Sequence, residues 1–204
     1  MCSVRAFLRL SARLLATAGL AGVLLVPATA TALAQSDDNT LQVTSANFND
    51  GDYLPLDHIL SASFGLGCEG GNISPELAWS GAPDDTKSYA LSVYDPDAPT
   101  GSGFWHWVVV NIPPSVTELP MDAGNPRANK LPRGARQIRT DFGTPGYGGP
   151  CPPAGDHPHR YIFTVFAVSM DQLQVDANTT PAVVGFMLHF NTLARGEIEG
   201  LYKH

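Results

Sequence analysis

Charge is scarce in this 204-residue chain: 15% of the residues are Asp, Glu, Lys or Arg, and basic residues are the rarer sign, 12 Lys plus Arg against 19 Asp plus Glu. A formal net charge of −7 argues against broad electrostatic attraction to nucleic acid or to an anionic membrane, both of which reward clustered Lys and Arg. Past Ala34 no apolar run approaches the ~20 residues that span a bilayer. There is no repeat, no heptad pattern, no low-complexity linker, no periodic Gly of the collagen kind, no Gly-x-Ser-x-Gly elbow and no His-x-x-x-His pair. What remains is a chain that is 44% hydrophobic, too apolar for disorder and of a length that suits one packed domain.

The N-terminus reads separately from that domain. Arg5, Arg9 and Arg13 precede an apolar run from Leu14 to Val26, and small residues follow down to Ala32-Leu33-Ala34. A basic head, an apolar centre and an A-x-A site are the layout of an export signal, so residues 1–34 are expected to be cleaved and residues 35–204 to form the mature domain. The expected destination is outside the cytoplasm: periplasm, cell envelope or extracellular space. The three arginines leave with the signal, making the mature domain still more acidic. Of the three cysteines only Cys68 and Cys151 remain, and in an oxidising compartment two cysteines are expected to form one disulfide, two separate thiols being the alternative.

Along residues 35–204 the pattern is strands and ordered loops. Leu41–Ser45 alternates and ends in turn residues. Ser88–Tyr94, Phe104–Ile112 and Tyr161–Val168 are apolar runs rich in β-branched and aromatic residues, each bounded by polar or Pro-containing segments. They suit the central strands of a sheet buried on both faces, where alternation fades. Residues 141–160, DFGTPGYGGPCPPAGDHPHR, cannot be a helix or an inner strand, because proline removes donors and glycine weakens both. A helix is predicted where Thr180-Pro181 precedes the apolar stretch to Leu188, with one further short turn at Asp171–Leu173.

The polar residues at the strand ends carry the chemical interest. Asp95-Pro96-Asp97-Ala98-Pro99 follows one apolar run, His106 stands between Trp105 and Trp107 near the start of the next, and His159 opens the third. Three strand ends with ionisable groups suit one small concave pocket. Each residue also has an ordinary structural reading: Asp95 and Asp97 as turn formers bonding their own backbone, His106 as a core histidine on a buried carbonyl, His159 as a surface histidine.

Six blocks in order resemble the phosphatidylethanolamine-binding protein family, and more narrowly its bacterial Raf-kinase-inhibitor-like branch. They are Gly71-Asn72-Ile73-Ser74-Pro75-Glu76-Leu77-Ala78-Trp79, Lys87–Leu91, Asp95–Pro99, His106-Trp107, Tyr147–Pro153 and His159-Arg160-Tyr161. The resemblance implies a mainly β fold of antiparallel sheets with short peripheral helices and a small anion-binding pocket. It maps pocket residues onto Asp95, His106, His159 and Tyr161. It adds the loop Gly146-Tyr147-Gly148-Gly149-Pro150, whose backbone N–H groups it places near the bound anion. Two features depart from the family pattern: Arg139-Thr140-Asp141 stands where many relatives have Asn-Asp, and the C-terminal segment is brief.

Such a pocket is expected to take a small phosphoryl or carboxylate ligand such as a phospholipid head group, with no cofactor and no metal. His106, His159 and Tyr161 would face the anion, and Asp95 would orient His106 or receive an amine. Binding without catalysis is the expected activity. The alternatives are a protein-interaction or enzyme-inhibitor module, with homodimerisation as one form of protein partnership, and a small hydrolase using Ser92 or Ser102 as nucleophile. A metal held by His106, His159 and a carboxylate is a further alternative.

Overall fold

The computed structural model describes residues 40–204, so the expected signal and its cleavage point after Ala34 lie outside the described residues. In chain order the strands are β1 (Gln42–Thr44), β2 (Asp52–Tyr53), β3 (Leu77–Ser80), β4 (Ser88–Asp95), β5 (Phe104–Ile112), β6 (Glu118–Leu119), β7 (Arg136–Gln137), β8 (His159–Val168) and β9 (Thr192–Tyr202). One α-helix, α1 (Pro181–Asn191), and two single 3-10 turns complete the regular structure among the described residues. Six strands form one sheet in the order β2-β9-β8-β4-β5-β7, and three form a second in the order β1-β3-β6. Every pairing is antiparallel except β2 with β9, which is parallel.

The three long apolar runs become β4, β5 and β8, and their weak alternation has a direct cause: both faces of the large sheet are covered. Leu91, Val93, Trp107, Val109, Phe163 and Val165 pack on one side with Leu77, Trp79 and Leu119 from the small sheet. Ala90, Val108, Val110 and Val168 pack on the other side with Val184 and Leu188 of α1 and with Leu173. Burying side chains as large as Trp107 and Phe163 completely contributes about 1.5–3 kcal/mol each relative to exposure.

Helix α1 begins where the Thr-Pro pair predicts. The Thr180 side chain accepts from the Val183 N–H, and Pro181 occupies a first-turn position whose missing donor costs nothing. No helical turn forms at Asp171–Leu173; the Asn111 side chain takes both the N–H and the carbonyl of Leu173 and ties that segment to β5. The Pro- and Gly-rich stretch is irregular up to His159, and the Cys68–Cys151 disulfide pins it to the loop after the second 3-10 turn, with a Cα–Cα separation of 5.9 Å.

Candidate functional site

Strand geometry puts the candidate residues on one face of the large sheet. Side chains alternate along a strand, so His159 and Tyr161 of β8 share the face of Phe163 and Val165. Asp95, at the end of β4, shares the face of Leu91 and Val93. His106 would point away from Trp107 in a regular strand, but the register steps from Val93↔Trp107 to Tyr94↔Trp105 and leaves His106 as an extra residue on β5. That bulge turns two successive side chains inward: Trp107 enters the core, and the His106 ring lies edge-on to Tyr161, with centroids 5.1 Å apart.

The polar groups form two separate arrangements. In the first, the His159 Nδ1 lies 2.8 Å from Asp95 Oδ2, and its Nε2 lies 3.4 Å from Asp156 Oδ2. Asp95 Oδ1 accepts from the Asp97 N–H at 2.8 Å, so Asp95 is a turn former and the orienter of His159 at once. Burial opposes charge on the His159 ring, but hydrogen bonding and attraction from Asp95, then Asp156, outweigh it and raise its pKa. Arg160, next along β8, clamps Asp97 with Nε at 2.9 Å and Nη2 at 2.7 Å and holds that carboxyl down to about 2.

In the second arrangement, His106 Nδ1 sits 2.7 Å from the Gly148 carbonyl oxygen. The carbonyl can only accept, so Nδ1 carries the proton, and Nε2, which has no hydrogen-bond partner among the described residues, presents a lone pair. Burial is the main influence on this ring and lowers its pKa despite Gly148 and Asp95, which keeps His106 neutral at pH 7. Asp95 therefore orients His159, not His106. Beside them the Tyr161 hydroxyl is buried and makes no hydrogen bond of normal geometry. Burial first, and the nearby Asp95 charge second, push its pKa up.

Asp95, His106, His159 and Tyr161 line a cavity of about 230 Å³ whose walls are Leu66, Ala98, Pro99, Phe104, Phe142, Pro152 and Pro153. The loop at 146–150 behaves differently from its expected role. Gly146, Tyr147 and Gly148 line a separate groove of about 770 Å³, and neither hollow is lined by Gly149 or Pro150. Three of the loop's four donors are spent within the protein: Tyr147 N–H on the Gly124 carbonyl, Gly148 N–H on the His106 carbonyl and Gly149 N–H on Asn72 Oδ1, while Pro150 has none. The Tyr147 hydroxyl donates to the His58 carbonyl at 2.8 Å. Instead of offering an N–H nest, this loop buttresses His106 from behind. Gly149 is required there, since a Cβ would land on the His58 carbonyl oxygen.

Sequence reasoning missed Phe142, which packs edge-on against Phe104 and His106, with centroid separations of 4.9 and 5.5 Å, and Asn72, which zips the 147–149 segment by also donating to the Tyr147 carbonyl. It missed Asp156 as well. Thr140 and Asp141, in the block that departs from the family pattern, serve the wall: Asp141 accepts from the Trp105 N–H at 2.8 Å, and Thr140 Oγ1 accepts from the Phe142 N–H at 3.3 Å. Ser92 alternates onto the opposite sheet face, and Ser102 lies outside the cavity.

Comparison with known proteins agrees with the fold and the block order. Residues 44–203 match the family model described as phosphatidylethanolamine-binding protein. The chain is 55% identical to the Escherichia coli (strain K12) protein YbcL over 162 residues, 79% of this chain and 87% of that one. It is 46% identical to YbhB of the same organism over 163 residues, 80% of this chain and all of that one. The crystal structure of E. coli YbcL, described as a new member of the mammalian family, superposes with a TM-score of 0.77 at 54% identity, covering 80% of this chain and 98% of that chain. A Chlamydia trachomatis homologue superposes with a TM-score of 0.67 at 30% identity, covering 81% of this chain and 99% of that chain. With most of the chain matched by the family model and by relatives at this identity, the protein belongs to the phosphatidylethanolamine-binding protein family.

Proposed function

We propose that this protein is an exported, noncatalytic binder of a small phosphoryl or carboxylate head group, phosphoethanolamine-like in its chemistry, held in the 230 Å³ cavity. The observation that carries the reading is the Tyr161 hydroxyl: a buried donor with no partner of normal geometry among the described residues, Asp95 being its nearest charged neighbour, costs stability unless a ligand oxygen takes its proton in a hydrogen bond. The neutral His106 Nε2 asks for the opposite, a donor, which a singly protonated phosphoryl group or an ammonium supplies. The His159 ring, held between two carboxylates, leaves the floor net negative even when the ring is protonated, which suits a ligand bearing a cationic or donor group beside its acceptor atoms better than a bare dianion. Asp95 is occupied by His159, so the ligand's donor is assigned to His106. Ser92 on the far face and Cys151 in a disulfide favour binding over acyl transfer. The N-terminal pattern of residues 1–34 supports export.

Calorimetric titration with phosphoethanolamine at several pH values tests this. A phosphomonoester loses its second proton near pH ~6, so the singly protonated form falls by about 50-fold between pH 6 and pH 8. Affinity is expected to weaken across that range, by up to about the same factor. No heat of binding, or an affinity flat across it, contradicts the reading.

A further inference from the structure

We infer that Asp156, His157 and His159, the last of which also lines the cavity, form a binding site for a divalent transition-metal ion of zinc's class. Their ligand atoms all lie within 4.8 Å of one another. The His159 Nε2 to Asp156 Oδ2 distance is 3.4 Å and the His157 Nδ1 to Asp156 Oδ1 distance is 3.2 Å, long for charge-assisted hydrogen bonds. Each is close to the donor-to-donor spacing of about 3.3–3.5 Å that follows from tetrahedral zinc with Zn–N of ~2.0–2.1 Å and Zn–O of ~2.0–2.2 Å, with the two rings set against different oxygens of the one carboxylate. The two imidazole rings stand nearly perpendicular, with centroids 5.2 Å apart, as two ligands of one ion can.

A second observation points the same way. Asp95 receives His159 Nδ1 at 2.8 Å, which fixes the ring and turns its Nε2 toward Asp156. A carboxylate behind the far nitrogen of a histidine is the outer-shell partner that metal-bound histidines generally have. Two imidazoles and one carboxylate favour zinc or copper over magnesium or calcium, which prefer all-oxygen shells. His159 also lines the cavity, so it is the one ligand the site shares with the head-group pocket. The ion's presence does not depend on the proposed ligand. Only its use as an added anchor for a phosphoryl oxygen rests on that reading. The other three-residue cluster among the described residues, Cys68, Cys151 and His204, offers no thiolate, because its sulfurs are joined.

The test is calorimetric titration of Zn²⁺ into the purified full-length chain after EDTA treatment, with no phosphoryl compound present. One site is expected, weakened by at least about tenfold in His157→Ala and in Asp156→Asn. These side chains are 63% and 37% exposed, and circular dichroism checks that both variants stay folded. Nitrogen-15 NMR is expected to show the His159 Nε2 resonance move on zinc addition while Nδ1 keeps its proton. Absence of binding, or an affinity unchanged in either variant, overturns the site. A separate phosphoethanolamine titration in EDTA reports on the head-group reading by itself, so the two can fail independently.

Discussion

Replacing Tyr161 with Phe should make the free protein more stable and the liganded protein weaker. In the free protein the Tyr161 ring is 1% exposed and its hydroxyl has no partner of normal geometry. An unsatisfied buried hydroxyl costs about 1–3 kcal/mol, and Phe fills the same volume without that oxygen. Recovering about 1–2 kcal/mol in a domain of this size raises the melting temperature by roughly 2–8 °C. The same change removes the donor assigned to the ligand. A hydrogen bond to a charged group contributes about 1.5–3 kcal/mol, which is about 10–150-fold in the dissociation constant for phosphoethanolamine. Differential scanning calorimetry of the free proteins and titration calorimetry with ligand read the two halves. A lower melting temperature in Tyr161→Phe would refute the reasoning, because it would mean that Asp95 already holds the hydroxyl and that the group is structural.

Reduction of the Cys68–Cys151 disulfide releases a closed loop of 83 positions and is expected to cost about 2–4 kcal/mol, lowering the melting temperature by roughly 5–15 °C; an unchanged melting temperature in reductant contradicts it. The two site histidines pull stability in opposite directions with pH. His159, with its folded pKa raised above 6.5, contributes stability that is complete below that value and is lost as pH rises through the folded pKa. His106, with its pKa lowered, stays neutral while the unfolded chain takes up a proton, so stability falls as pH drops below 6.5. Their combined contribution peaks near pH 6.5, and Asp95→Asn is expected to flatten the decline above it. Urea denaturation across about pH 5 to pH 8.5 checks both limbs, and wild-type and variant profiles with the same slope above the peak would rule out the Asp95–His159 coupling.

The central strands and the helix start were legible because burial on both faces and a Thr-Pro pair leave local signals. β9 was not, although it is 11 residues long. Its buried positions are Ala194, Gly196, Ile198 and Gly200, and at the two glycines a Cβ would strike the Leu41 backbone and the Leu54 side chain, so the inward face carries one large apolar residue, Ile198, too few to show the alternation. At the site, Asp95, His106 and His159 were visible as strand-end residues and Tyr161 through the family resemblance, and the four line one cavity. Their pairing was not visible. Asp95 and His159 are 64 positions apart and meet through the β4–β8 register, and His106 turns inward only through a bulge set by its neighbours. The glycine-rich loop suggested free N–H groups, but sequence cannot show that Gly124, His106 and Asn72 already accept from them.

The central claim, that a small phosphoryl head group sits against Tyr161 and His106, is tested most directly by a crystal structure grown with phosphoethanolamine. The account expects a phosphoryl oxygen within about 2.5–3.0 Å of the Tyr161 hydroxyl and a ligand donor facing His106 Nε2, with His159 still on Asp95. Phosphoethanolamine bound elsewhere, or a cavity left empty at saturating ligand with Tyr161 turned onto a protein acceptor, would contradict it.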